Sequence, residues 1–93
     1  MKYTIKFSNE SQNNLKAIFF FIAQNSKENA HKYSAELKSC IKMLESQPHL
    51  GAAYSNNRRR LLCLNHYVYY KISESKKEIH IITVRHTSKR VLK

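Results

Sequence analysis

Three β-rich runs in the second half of the chain constrain its fold more than any other feature. They span residues 58–64, 67–72 and 79–86. Asn65 and His66 separate the first two runs, and a two-residue gap beginning with Asn predicts a hairpin turn because Asn tolerates a positive φ. The third run is dense in β-branched residues, which strands favour. We therefore expect an antiparallel meander, with Arg60 and Arg85 toward opposite ends of its first and last strands.

The first half of the chain predicts one strand followed by two helices. Apolar and polar residues alternate over residues 2–7, the pattern of a half-buried strand. Ser8 and Ser26 are each placed to cap a helix, the first running to about residue 24 and the second ending before Pro48. The short connection between them predicts a helical hairpin. Residues 52–57 are polar and are assigned to a loop.

The predicted order is β-α-α-β-β-β, an α+β fold in which the helical hairpin packs on a curved, mainly antiparallel, four-stranded sheet. Residues 1–93 are too few for more than one core, so we read them as a single domain. The sequence has no apolar run long enough for a membrane span and no signal-peptide pattern at its start, so we expect a cytoplasmic protein without a membrane partner. Cys40 and Cys63 belong to no C-x-x-C motif and are expected as buried free thiols, with no metal or cofactor.

Positive charge is concentrated in the second half of the chain. The formal net charge is +11, and residues 47–93 hold ten Lys or Arg against two Glu. All five arginines lie there, and Arg suits bidentate contacts with phosphate or carboxylate. A basic, acid-poor sheet predicts a polyanionic or acidic partner. The candidate residues for binding such a target are Arg58, Arg59, Arg60, Arg85, Lys89 and Arg90.

The first helix has more apolar surface than one core contact requires. Leu15, Ile18 and Phe19 follow helical spacing and are expected to face the sheet, whereas Phe20 and Phe21 lie on the opposite side. An apolar second face either packs under the other helix or binds a partner protein. We therefore interpret Phe20 and Phe21 as candidate protein-binding residues.

Arg60, Arg85 and His86 are the candidates for chemistry. A guanidinium stays charged near neutral pH, so Arg60 and Arg85 would clamp a phosphate rather than act as a base. The imidazole of His86 is suited to acid or base catalysis. Tyr67 and Tyr69 share one face of a strand and are available for stacking on bases, while Tyr70 lies on the other face with the apolar residues.

The chain resembles the RelE/ParE superfamily of bacterial type II toxin–antitoxin toxins over essentially its whole length. The resemblance rests on the order and spacing of residues 3–8 leading into a helix, residues 15–18, the helix end and Pro-Gly loop at 44–51, Arg60-Leu61, residues 67–72, and residues 79–90. It implies a growth-inhibiting toxin with a helical hairpin on an antiparallel sheet, neutralised by a small acidic antitoxin. The antitoxin would contact Phe20 and Phe21.

The resemblance allows two mechanisms. ParE-like members inhibit DNA gyrase by binding, whereas RelE-like members cut messenger RNA on the ribosome, with Arg60 and Arg85 here matching the phosphate-clamping arginines and His86 the acid or base. Between Ser46 and Asn57 the chain has no Lys or Glu to act as the expected base, and no tyrosine follows Tyr70. We therefore favour a ParE-like gyrase inhibitor that is not an enzyme, ahead of the ribonuclease. A non-toxic basic nucleic-acid-binding module is a third, weaker hypothesis.

Overall fold

The computed structural model describes residues 2–87 and shows two helices on a five-stranded sheet. The elements are β1 (Thr4–Phe7), α1 (Asn9–Ala23), α2 (Lys27–Lys42) with a 3₁₀ turn at Met43–Glu45, β2 (Ala52–Ser55), β3 (Arg58–Cys63), β4 (His66–Ser73) and β5 (Glu78–His86). This is the predicted α+β architecture with one additional strand. Neither helix of the described part is long and apolar enough to cross a bilayer.

The sheet has the strand order β1-β5-β4-β3-β2 and is mainly antiparallel, as predicted. Only β1 and β5 pair in parallel, through Thr4 with Glu78 and Phe7 with Ile81. The first strand of the chain therefore lies beside the last, at one edge of the sheet.

The assignment of residues 52–57 to a loop was wrong, because Ala52–Ser55 form the other edge strand, β2. β2 pairs with β3 through Ala52 with Arg60 and Ala53 with Arg59. All four of its residues are exposed. An exposed edge strand gains its order from the backbone of its neighbour, so its own side chains need not show an alternating pattern.

Both helices begin where their capping residues predict. The Ser8 side chain accepts a hydrogen bond from the Ser11 backbone N–H, and Ser26 does the same for Asn29. Ser8 has a second role, because its hydroxyl donates to the Ile82 carbonyl oxygen at 2.7 Å. The start of α1 is thereby fixed to β5.

The core lies between the sheet and α2. Its largest fully buried side chains include Tyr70, Leu37, Ile41 and Ile79. The Tyr70 hydroxyl donates to the Pro48 carbonyl at 2.7 Å and accepts from the Gly51 N–H at 2.9 Å. A Cβ on Gly51 would lie 2.7 Å from the Arg60 carbonyl oxygen, so only glycine allows the loop to approach this closely.

The expectation of free thiols was wrong, because Cys40 and Cys63 form a disulfide with their Cα atoms 5.9 Å apart. The bond joins α2 to the last residue of β3. The 23-residue separation of the two cysteines carries no sequence signal for pairing; the packing of α2 on the sheet brings them together.

The hairpin between β3 and β4 is present, but its turn is shifted by one residue from the prediction. Cys63 pairs with His66, which leaves Leu64 and Asn65 as the two turn residues. Of these two turn residues, Leu64 rather than Asn65 has a positive φ, of 59°. His66 is consequently a strand residue and is buried.

Candidate functional site

The sheet has one face covered by the helices and an opposite face that is open, which we call the outer face. On β3, Arg58, Arg60 and Leu62 point outward, while Leu61 and Cys63 point to the core. On β4 the outward residues are Tyr67, Tyr69 and Lys71, in line with the predicted separation of Tyr67 and Tyr69 from Tyr70. The outer face is therefore aromatic and cationic.

Arg60 is at the centre of this face. Its guanidinium carbon lies 4.4 Å from the centroid of the Tyr67 ring, a cation–π contact. A hydrogen bond with Tyr69, together with the electrostatic influence of neighbouring tyrosines, raises the pKa of Arg60. Tyr54 of β2 packs edge-on against Tyr69 with 5.6 Å between ring centroids. Three tyrosines thus hold one fully charged guanidinium in place.

Arg85 lies close to this cluster, contrary to the expectation that Arg60 and Arg85 would be at opposite ends. Tyr67 pairs with both Leu62 and Arg85, so Arg85 lies on the far side of β4 from β3, level with Leu62 and two residues further along the sheet than Arg60. Residues directly opposite each other in antiparallel strands point to the same side. Pairing with Tyr69 and Tyr67 therefore puts Arg60 and Arg85 on one surface, and the earlier start of β5 places Arg85 level with Leu62.

The other candidate arginines divide between the two faces. Arg58 is exposed on the outer face, whereas Arg59 points to the opposite side. The Arg59 guanidinium donates to the Gly51 carbonyl at 2.7 Å and the His49 carbonyl at 3.2 Å, so it holds the loop before β2. Lys89 and Arg90 lie outside the described residues.

His86 does not join Arg60 and Arg85. It pairs with His66 on the helix-facing side of the sheet, where the two rings are 4.9 Å apart, while its neighbour Arg85 points outward. His66 Nδ1 and the Tyr33 hydroxyl share a hydrogen bond of 2.7 Å. Burial and the proximity of His86 lower the pKa of His66 from 6.5 to about 4, so His66 is neutral. The pair of histidines is part of the packing between α2 and the hairpin.

His80 is the outer-face histidine that the sequence analysis did not single out. It pairs with Lys71, whose partner on the other side is Arg58, and its Nε2 lies 3.0 Å from Glu78 Oε1. Glu78 is also 3.9 Å from the Lys6 ammonium. The alternation of β5 would have identified this position if the extra residue at Ile82, where the register shifts, had been recognised.

A second candidate site is a groove of about 1240 Å³ between β1 and the two helices, which we call the helix groove. Its apolar lining includes Ile5, Leu15, Phe19 and Ile41. Lysines surround it, namely Lys2, Lys6, Lys16, Lys38 and Lys42, with Glu45 the single acid. Such a groove suits an amphipathic, acidic polypeptide segment.

Phe20 and Phe21 are both exposed, at 64% and 71%. Phe20 lines the helix groove, whereas Phe21 is not among its lining residues. The structure therefore brings Phe20, but not Phe21, together with the groove.

The part of the chain that the structure describes holds no group of three His, Cys, Asp or Glu side chains able to bind a metal ion. The chemistry available at the outer face is therefore that of guanidinium, ammonium, phenol and one imidazole–carboxylate pair. These groups recognise phosphates, carboxylates and bases.

This fold, a helical hairpin on a mixed sheet, is shared with solved structures of toxin–antitoxin proteins. The chain is similar to a toxin chain of the chromosomal ParDE system from P. aeruginosa, with a TM-score of 0.77 at 18% identity, covering 91% of this chain and 96% of that one. For RelBE2 from Mycobacterium tuberculosis the TM-score is 0.65 at 14% identity, over 92% and 99% of the two chains. A mutant of the E. coli toxin RelE in the free state gives 0.67 at 14% identity, over 99% and 100%.

Residues 5–91 match the family described as the ParE toxin of the type II toxin–antitoxin system parDE. The match covers nearly the whole sequence, so the chain belongs to the ParE toxin family. No curated protein matches the chain. The family membership and the shared fold confirm the predicted RelE/ParE superfamily.

Proposed function

We propose that this protein is a ParE-type toxin that inhibits DNA gyrase by binding and is held inactive by a cognate antitoxin. The observation that carries the proposal is the arrangement of the outer face. Arg60 and Arg85 share it with Tyr67 and Tyr69, while His86 lies on the other side of the sheet. The side chains around the two arginines hold and orient charge but do not move protons at neutral pH.

The helix groove supports a protein partner of acidic, amphipathic character. Its lysines would pair with carboxylates of the partner, and its apolar floor would accept large apolar side chains. The neighbouring edge of β1 has free hydrogen-bonding capacity at Ile5, because the opposite edge of that strand pairs with β5. We place the antitoxin there, with Phe20 at the rim. The toxin and its target are expected in the cytoplasm.

A supercoiling assay with purified gyrase tests this function. The isolated chain should inhibit supercoiling, and Arg60→Ala and Arg85→Ala should each weaken inhibition by roughly tenfold or more, since desolvated charged contacts are worth about 2 kcal/mol or more. Lys32→Ala, on an exposed helix position, is the matched control for loss of one positive charge. Undiminished inhibition by the double arginine variant would overturn the assignment of the outer face.

The second candidate function is cleavage of messenger RNA, and one observation favours it. His80 shares the outer face with Arg60 and has Glu78 at hydrogen-bonding distance, an arrangement in which a carboxylate supports an imidazole base. In that mechanism His80, rather than His86, would take the proton while arginines hold the phosphate.

Translation in a cell extract separates the two candidates. Cut transcripts that disappear with His80→Ala, together with intact gyrase activity, would establish the nuclease. Intact transcripts together with arrested supercoiling are expected for the gyrase inhibitor. The non-toxic nucleic-acid-binding module predicts neither effect.

A further inference from the structure

The disulfide between Cys40 and Cys63 is the covalent link between the helical hairpin and the sheet. Cys63 is 1% exposed and ends β3, whereas Cys40 is partly exposed on α2. Of the two cysteines, Cys40 is therefore the residue more accessible to a small reagent. A sulfur that a small thiol can reach exchanges readily, while a buried one does not.

The same helix is attached to the same hairpin at a second point. The Tyr33 hydroxyl contacts His66 Nδ1 at 2.7 Å and accepts the Asn65 N–H at 3.1 Å. Tyr33 precedes Cys40 by seven residues, which is two helical turns, so both contacts leave the same side of α2. Besides the apolar packing of Leu37 and Ile41, α2 is thus held on the sheet by the disulfide and by the polar contacts of Tyr33.

A different side of α2 forms a wall of the helix groove. Ser34, Lys38, Ile41 and Lys42 all line that groove. The helix therefore has the disulfide on the side of the β3–β4 hairpin and the groove on the side of β1. Any loosening of α2 at Cys40 changes the wall that an occupant of the groove would touch.

We propose that Cys40 and Cys63 are a reversible thiol–disulfide site, and that its oxidation state fixes the position of α2 and with it the shape of the helix groove. The co-reactant is a low-molecular-weight disulfide of the glutathione type. The inference rests on the proposed function only in taking the antitoxin as the groove's occupant. The oxidised form has a preformed groove; the reduced form has a looser one with lower affinity for that occupant.

The chemistry is thiol–disulfide exchange in two steps. The Cys40 thiolate attacks one sulfur of the small disulfide, a mixed disulfide forms, and one small thiolate leaves and takes up a proton. The Cys63 thiolate then attacks the Cys40 sulfur, the intramolecular bond forms, and the second small thiol is released. The protein loses two electrons and two protons, and the small disulfide is reduced to two thiols.

The site matters because cytoplasmic proteins are normally kept reduced. In that compartment the two cysteines would be thiols at rest and would join only when the ratio of small disulfides to thiols rises. The oxidation state of the two cysteines would then follow the redox balance of the cell, while the amount of toxin stays the same.

Comparison of one protein sample in two redox states tests the proposal. The wild-type chain is equilibrated with oxidised glutathione or with dithiothreitol, and thermal unfolding and amide hydrogen exchange are measured. The oxidised form should unfold roughly 10–20 °C higher, from the entropy of closing the loop between Cys40 and Cys63. Amides of α2 should exchange about tenfold or more faster in the reduced form.

Binding of the dye 1-anilinonaphthalene-8-sulfonate reports on the groove itself. Its Kd should differ by about threefold or more between the two states. The double variant C40S/C63S should bind the dye as the reduced wild type does, with or without dithiothreitol. If this variant does not fold, comparison of the oxidised and reduced wild type still tests the proposal. Equal exchange of α2 in both states, or two alkylatable thiols after treatment with oxidised glutathione, would overturn the proposal. Neither measurement involves gyrase, so failure of the proposed function would show only in the supercoiling assay.

Discussion

Tyr70 connects the core to the loop that positions β2. Its hydroxyl satisfies both the Pro48 carbonyl and the Gly51 N–H inside the protein. Tyr70→Phe removes the hydroxyl and leaves both backbone groups without that partner, so we expect a loss of about 1–3 kcal/mol in the free energy of unfolding.

Urea denaturation of Tyr70→Phe measures this loss, and Tyr69→Phe is the matched control. The Tyr69 hydroxyl lies on the open outer face, where water replaces a lost partner. An equal effect of the two substitutions would contradict the role assigned to the Tyr70 hydroxyl.

The stability of the protein should fall in acid because of His66. Burial, with the influence of His86, lowers the pKa of His66 from 6.5 to about 4 in the folded state. Between these two values the unfolded chain binds a proton that the folded chain does not, so the free energy of unfolding decreases as the pH falls from 6.5 toward 4. The contribution is on the order of 2–3 kcal/mol and is fully present above pH 6.5.

Denaturation at a series of pH values checks the acid effect, with His66→Gln as the comparison because glutamine does not titrate. The variant should show a flatter dependence across the same range. NMR titration of the His66 ring gives its pKa directly, and a value near 6.5 would remove the basis of the prediction.

At the residue scale, the face on which a side chain lies was easier to predict than the residue that it contacts. Strand alternation correctly separated Tyr67 and Tyr69 from Tyr70, because β4 has one buried and one open face. His66 and Cys63 could not be assigned the same way. Their environments depend on Tyr33 and Cys40, which are distant in sequence and come close only when α2 packs on the sheet.

Among the secondary-structure elements, α1 depends strongly on its capping residue, Ser8. Ser8 caps the helix and also donates a hydrogen bond to the Ile82 carbonyl, whereas Ser26 only caps α2. We expect Ser8→Ala to cost about 2 kcal/mol of stability and Ser26→Ala about 1 kcal/mol. Chemical denaturation of the two variants side by side measures the loss in the free energy of unfolding. A larger loss for Ser26→Ala would show that the hydrogen bond from Ser8 to β5 does not stabilise the protein.

The positions of helices and strands were predictable where apolar residues recur at a regular spacing. The starts of both helices could be predicted because a capping serine precedes each such run. The position of β5 on its neighbours was not, because Ile81 and Ile82 are both apolar and conceal the register shift opposite Tyr69 and Tyr70. That shift, together with the displaced start of β5, decides that Arg85 lies level with Leu62, two residues along the sheet from Arg60.

For the molecule as a whole, β5 is the element that unites the fold. It pairs with β1 on one side and β4 on the other, and its Val84 N–H donates to the Asn14 side chain of α1. A chain ending at residue 77 lacks all three connections. We expect it to show no cooperative thermal transition, since its remaining apolar surface is too small for an independent core.

Circular dichroism during heating tests the shortened chain against the full one. A sigmoidal melt of the shortened chain, at a temperature close to that of the full chain, would show that β1 and the helices are stable without β5. The charge distribution was readable from the sequence, but this dependence on one strand follows from the topology alone.

The parallel pairing of β1 with β5 has a consequence for how the toxin is made. As the polypeptide leaves the ribosome, Thr4–Phe7 can find their partner only after Ile81 has emerged, since Phe7 pairs with Ile81. The helical hairpin relies on nearby residues and can assemble first. A nascent chain that has not yet reached β5 therefore lacks the complete sheet, and the outer face forms fully only after Ile81 and Arg85 have emerged.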